Sequence, residues 1–204
     1  IYDFLSLAKP KVFERRIKEI LGKYFPEKDF TTKQISLATK AAYAEYAEYL
    51  ESVRAEGERY IKKAKETGKP VILLAGRPYH VDPEINHGIH ELICRLGAIV
   101  LSEDSIRPGK EKLITGVRNQ WTYHSRMYNA AKFVANAPEN LDIHVVQLVS
   151  FGCGVDAVTT DEVRSIVEKS GRLYAQVKID EISNTGAVTI RLRSLMSVIE
   201  LRKK

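Results

Sequence analysis

Two short runs of residues limit what this chain can fold into. Val71-Ile72-Leu73-Leu74-Ala75 and Val145-Val146-Gln147-Leu148-Val149 are apolar at every position but one. Runs of that length and composition fit strands buried on both faces, the pattern of a parallel sheet covered by helices. Each run ends in a glycine-bearing loop. The first enters Gly76-Arg77-Pro78-Tyr79-His80-Val81, and the second enters Ser150-Phe151-Gly152-Cys153-Gly154-Val155-Asp156.

Helical patterns lie between and after these strands. Asp82 reads as an N-cap with Pro83 at the first helical position. The helix it opens would bury Ile85, Ile89, Leu92, Ile93 and Leu96 and end at Gly97. Ala98 to Leu101 is a second, shorter strand. A long helix is expected after Pro108-Gly109, with Leu113, Val117, Trp121, His124, Tyr128 and Ala131 on its core face. After the cysteine loop, Thr159-Thr160-Asp161-Glu162 reads as a helix start, and that helix ends near Gly171. Leu173, Ala175, Val177 and Ile179 alternate with polar residues, as in a strand buried on one face. The stretch Val188 to Ile199 fits both periods. The Asn184-Thr185-Gly186 start and the longer stripe favour a helix.

Strands alternating with helices form right-handed βαβ units. The two continuous runs belong at the centre of the sheet. The expected fold is therefore α/β and Rossmann-like: a parallel four-stranded sheet in the flavodoxin-like order 2-1-3-4, with helices on both faces. Residues 1–68 form a helical appendage or connector, and 69–204 form the α/β domain. In the appendage, a helix from Pro10 to Leu21 stops at Gly22 and Pro26. A second helix follows, capped by Thr31 or Thr32. Its stripe Ile35, Ala38, Ala42, Tyr46, Tyr49 and Val53 needs a cover, supplied by the α/β domain or by a second copy of the chain.

Such a sheet binds ligands where its strand order reverses, outside the carboxyl ends of its strands. Here that point lies between the first and third strands. The Gly76–His80 loop and the Gly152-Cys153-Gly154 loop should then face one crevice, bordered by Arg77, Tyr79, His80 and His87. Glycines beside Cys153 let a bulky group approach the backbone, and a nearby helix amino end favours thiolate over thiol. Cys153 is compatible with a nucleophile, a redox thiol or a cluster ligand. It is equally compatible with a tight turn around a small buried thiol. Cys94, on the helix after the first strand, reads as an inert core thiol. Arg191 and Arg193 are candidates for meeting the phosphates of a ligand, with a solvated face the more common outcome for such residues.

A net charge of +6 is spread along the chain, with no arm for nucleic acid. No apolar run approaches a membrane span. Two cysteines among 204 residues make no disulfide framework, as expected of a cytoplasmic protein. The opening Ile1, in place of methionine, is what is expected of a piece excised from something longer.

Gly76-Arg77-Pro78-Tyr79-His80-Val81-Asp82-Pro83-Glu84-Ile85-Asn86-His87-Gly88-Ile89 resembles the domain that accompanies activase modules in large proteins related to 2-hydroxyacyl-CoA dehydratases. Ser150 to Asp156, Lys178-Ile179-Asp180-Glu181 and Ala187 to Leu195 continue the likeness, which covers roughly Lys69 to Ile199. More remotely, the chain is similar to the subunits of 2-hydroxyglutaryl-CoA dehydratase and benzoyl-CoA reductase. The resemblance implies two Rossmann-like lobes whose cysteines together hold a 4Fe-4S cluster. It also implies an ATP-dependent activase partner that feeds the cluster electrons, and radical chemistry on an acyl-CoA. Cys153 matches the ligand cysteine of one lobe. The other ligands would come from parts of a parent protein outside this chain, so the fragment alone is expected to bind no cofactor.

Overall fold

The computed structural model describes residues 3–107, 109, 114–150, 154–179 and 185–203. The chain divides into two compact units, Ile1–Ser52 and Val53–Lys204.

The first unit pairs helix α1 (Pro10–Tyr24) with the first half of α2 (Thr32–Thr67). Pro10 opens α1, its missing N–H being one that a first turn leaves unbonded anyway. The helix runs through Gly22 rather than stopping there, because an exposed helical glycine costs only about 1 kcal/mol. Thr31 and Gln34 cap α2 reciprocally. The Gln34 N–H donates to Thr31 Oγ1 at 3.3 Å, and the Thr31 N–H donates to Gln34 Oε1 at 3.0 Å. Ile20, Ile35 and Thr39 are buried, Phe13 meets Tyr43 edge-on, and the Tyr43 hydroxyl donates to the Leu7 carbonyl. The covered face of α2 is thus Ile35–Thr39–Tyr43 and its cover is α1. Ala38, Ala42, Tyr46 and Tyr49 of the expected stripe are exposed.

In the second unit, α2 ends at Thr67 and Gly68 turns the chain with φ +65°. There follow β1 (Val71–Ala75), a 3₁₀ turn (Pro78–Val81), α3 (Ile89–Arg95), β2 (Ile99–Ser102), α4 (Thr122–Ala135), β3 (Ile143–Val149), α5 (Gly154–Lys169), β4 (Tyr174–Lys178) and α6 (Gly186–Leu201). The sheet is parallel throughout, in the order β2-β1-β3-β4. Val71 lies opposite both Ile99 and Ile143, and Val145 lies opposite Tyr174. Every residue of β1 and β3 is buried, as their apolar runs require. The order and direction expected from the sequence are the ones found.

Side chains alternate across β1 and β3, so each strand feeds two cores. On one face Val71, Leu73, Ile143 and Val145 pack with Ala64 of α2, with Met127, Ala131 and Val134 of α4, and with Val163 and Val167 of α5. On the other face Ile72, Leu74, Val146 and Leu148 pack with Ile89 and Ile93 of α3 and with Leu192, Met196 and Ile199 of α6. The second half of α2 approaches so closely that a Cβ on Gly57 would stand 1.8 Å from the Ser105 carbonyl oxygen. In β4, Val177 is buried on the second face, as is Ile179 just beyond the strand, while Tyr174 is half-buried against the first. The last segment is helical, as expected. No helix among the described residues is long and apolar enough to cross a membrane.

Three helix starts differ from the sequence reading. Asp82 caps a turn, accepting the Glu84 and Ile85 amides, and α3 begins only at Ile89. Positive φ at His87 and Gly88 separates the two, leaving Ile85 exposed. The helix expected after Gly109 begins at Thr122 with Trp121 exposed at its cap, and Leu113 lies outside the described residues. Finally α5 begins at Gly154, not at Thr159. Thr160 is accommodated inside it by donating its hydroxyl to the Ala157 carbonyl.

Candidate functional site

Ala75 and Val149 are the last residues of β1 and β3, and their loops meet just beyond the strand ends. Arg77 donates from Nη2 to Asp156 Oδ1 at 2.8 Å, joining the β1 loop to the first turn of α5. His80 bonds Ser150 Oγ through Nε2 at 2.7 Å, joining the same loop to the residue after β3. Ser150 and Asp156 flank Phe151, Gly152 and Cys153, which lie outside the described residues. Gly154 is exposed and is the first residue of α5.

The His80 imidazole is buried, and its tautomer follows from its partners. Nδ1 accepts the Arg77 N–H at 3.1 Å, so Nε2 carries the proton and donates to Ser150. Burial lowers its pKa to about 4, the Arg77 charge adds to the effect, and Asp156 opposes it. The ring rests against Gly76, where a Cβ would stand 2.4 Å from His80 Nδ1. Tyr79 is exposed and meets the His80 ring edge-on. His87 is exposed in the left-handed turn before α3. Of the expected border residues, Gly76, Arg77 and His80 are therefore tied into the crossing of the two loops, and Tyr79 stands at its surface.

A second layer was not legible from spacing. Asn86 is buried; its Nδ2 donates to the His80 carbonyl, and its Oδ1 accepts from His90 Nδ1. On the α4 side, His124 and Asp156 each keep a buried side-chain atom, Nδ1 and Oδ2, without a hydrogen-bond partner among the described residues. Burial lowers the His124 pKa, with Asp156 opposing and Arg77 assisting. Trp121 packs edge-on against His124 while staying exposed, whereas Tyr128 is in the core. Trp121 is thus exposed and His124 half-buried, rather than in the core packing expected of them.

Glu103, one residue past β2, is also buried. Burial pushes its carboxyl up to about 7, against the lowering effects of its own and the Gly76 backbone amides and of Arg126. With Leu74, Val100, Leu148, His90 and the 77–86 loop it lines a cavity of about 130 Å³. A larger open groove, about 660 Å³, runs along the β4 edge, away from the strand carboxyl ends. There Arg191 donates to the Gln176 carbonyl and so covers the sheet edge; Arg193 is exposed.

Cys94 is exposed, contrary to the buried thiol expected of it. Ile89 and Ile93 face the sheet, and the next position, about 100° further round the helix, points outward. Among the described residues no three His, Cys, Asp or Glu side chains are grouped to hold a metal ion. With two cysteines, one of them on the outer face of α3, the chain does not itself carry the several thiolates a cubane cluster takes.

No curated protein and no solved structure matches the chain. A family model described as CoA enzyme activase uncharacterised domain (DUF2229) matches residues 1–106, just over half of the 204. The match takes in both helices of the first unit, β1, the 76–89 segment and β2, and ends before β3. The chain belongs to the CoA enzyme activase uncharacterised domain family.

Proposed function

We propose that this chain is one lobe of an activase-related electron-transfer protein acting on CoA thioesters, and that it contributes Cys153 to a shared iron–sulfur cluster. The observation that carries this reading is the pinning of both flanks of the cysteine loop. Ser150 is held by His80 and Asp156 by Arg77, with five residues between them. Family membership supports the CoA and activase part of the reading.

The chemistry suits a ligand thiolate. Cys153 directly precedes the first residue of α5 in sequence. The unpaired amides of a helix's first turn favour the anionic form of a thiol placed there. The other thiolates come from further lobes of a parent protein, and an ATP-dependent activase docks on the assembly. When bound, a cluster supplies single-electron transfer. This chain's own residues hold the loop's two flanks, Ser150 through a neutral His80 and Asp156 through Arg77.

The test uses the parent protein, reconstituted anaerobically with iron and sulfide. A visible chromophore that Cys153→Ala weakens and Cys94→Ala leaves intact is the expected result. An unchanged chromophore and iron content in Cys153→Ala would overturn the reading. The crevice would then be a CoA- or nucleotide-binding site without redox function.

A further inference from the structure

The cavity beneath the 77–86 loop shares Arg77 and His80 with the ties to Asp156 and Ser150, but its interior has no part in the proposal above. Its floor is hydrocarbon from Leu74, Val100 and Leu148, and its polar groups include His90 and Glu103. Asn86 fixes the state of His90. Because Asn86 Nδ2 donates to the His80 carbonyl, its Oδ1 must accept, and His90 Nδ1 must be the donor in that bond. The neutral His90 ring therefore keeps a lone pair on Nε2.

The local charges are unequal. Arg77 is matched by Asp156, and Arg126 is hydrogen-bonded to Asp104. Glu103, with 2% of its side chain exposed, meets its own and the Gly76 backbone amides, and among the described residues the nearest cation is Arg126 at 3.6 Å. A carboxyl and an imidazole ring with a free acceptor nitrogen thus line one small, mainly apolar space. Both accept hydrogen bonds when Glu103 is ionised, and a cation would offset its charge.

We propose that this cavity is a binding site for a small primary aliphatic amine, its ammonium held between Glu103 and His90 and its hydrocarbon body on Leu74, Val100 and Leu148. Size agrees with chemistry. About 130 Å³ holds roughly four water-sized groups at ~30 Å³ each, which is a short alkylamine and not a nucleotide. An anion of the same size would meet the Glu103 carboxylate, while Arg77 in the same lining is already paired with Asp156. A neutral alcohol would bring one hydrogen where the ammonium brings three.

The experiment is an amide-shift titration of the 204-residue chain with n-butylamine, and in parallel with 1-butanol, its uncharged isostere. The amine should perturb Gly76, Ser102 and Glu103 in a saturable way and bind at least tenfold more tightly than the alcohol. Glu103→Gln should abolish that preference. His90→Ala changes a half-buried residue on the surface of α3, and should weaken amine binding at least threefold even if the glutamine variant does not fold. Equal binding of amine and alcohol, perturbation confined to exposed carboxylates, or undiminished amine binding in His90→Ala would each overturn the proposal. The cluster reading would stand untouched by any of these results.

Discussion

Arg77 and Asp156 stand 79 residues apart in the chain, yet their side chains meet at 2.8 Å. The pair locks the loop after β1 to the start of α5, and the His80–Ser150 bond makes a second tie at the end of β3. Asp156 keeps only 9% of its side chain exposed, and Arg77 keeps 27%. Removing the guanidinium leaves a buried carboxylate without its counter-charge. Arg77→Met should cost about 2 kcal/mol, less than the ~3–5 kcal/mol of a fully buried pair because Arg77 reaches solvent. Arg77→Met with Asp156→Asn should cost less than the two single changes added together. Urea unfolding of the three variants measures this, and strict additivity would show that the pair is not coupled.

Glycines give a second, independent prediction. Gly57→Ala places a methyl group 1.8 Å from the Ser105 carbonyl oxygen, and backbone must move to admit it. The expected loss is about 3 kcal/mol. Gly76→Ala meets the His80 ring at 2.4 Å and should displace it from Ser150 and from the Arg77 amide, at about 2 kcal/mol. Gly22→Ala is the contrast. It meets nothing within 4 Å in an exposed helix, and should stabilise by about 0.5–1 kcal/mol. Thermal unfolding of the three variants checks the order.

The sheet was legible because β1 and β3 are apolar on both faces, and a run of that kind has few other uses. Helix starts were less so. Asp82-Pro83 has the local chemistry of an N-cap, but His87 and Gly88 take positive φ, and the helix waits until Ile89. Thr159-Thr160 looked like a start because hydroxyls cap helices, yet Thr160 satisfies its own hydroxyl within a turn of α5. Gly76, Arg77 and His80 lie in the loop after β1, as the reading of that strand required, while Gly152 and Cys153 of the other expected loop lie outside the described residues. Asp156 and Asn86 were missed as partners, since a buried polar residue is recognised by what it touches across the fold. With the start of α5 read at Thr159, Asp156 reads only as the end of the cysteine loop. Cys94 was misplaced because one helical step carries a residue from the core face to solvent.

His80 and Glu103 act against each other as pH changes. His80 titrates near 4 in the folded chain and near 6.5 unfolded, so the unfolded state binds the extra proton between those values. Stability from this group therefore rises with pH across that window, by up to about 1.4 kcal/mol per pH unit. Glu103 titrates near 7 folded and 4.5 unfolded. The folded state then holds the extra proton, and this contribution falls as pH rises from 4.5 to 7. Between 4.5 and 6.5 the two oppose each other. Glu103→Gln should remove the falling part and leave a steeper rise of stability with pH. Urea midpoints across that range measure the slope, and a slope no steeper than that of the unaltered chain would mean the Glu103 carboxyl is already ionised.

The role proposed for Cys153 requires a reactive thiol at the crossing of these loops. Its most direct test is the pH dependence of iodoacetamide labelling in the folded chain, with Cys94 and Cys153 followed separately by peptide mass spectrometry. Native Cys153 should be labelled with a midpoint below the ~8.5 of an unperturbed thiol. Arg77→Met, which frees the start of α5 from the β1 loop, should move that midpoint. A Cys153 that stays unlabelled until the chain unfolds, or one whose midpoint lies at or above the unperturbed value in both chains, would contradict that role.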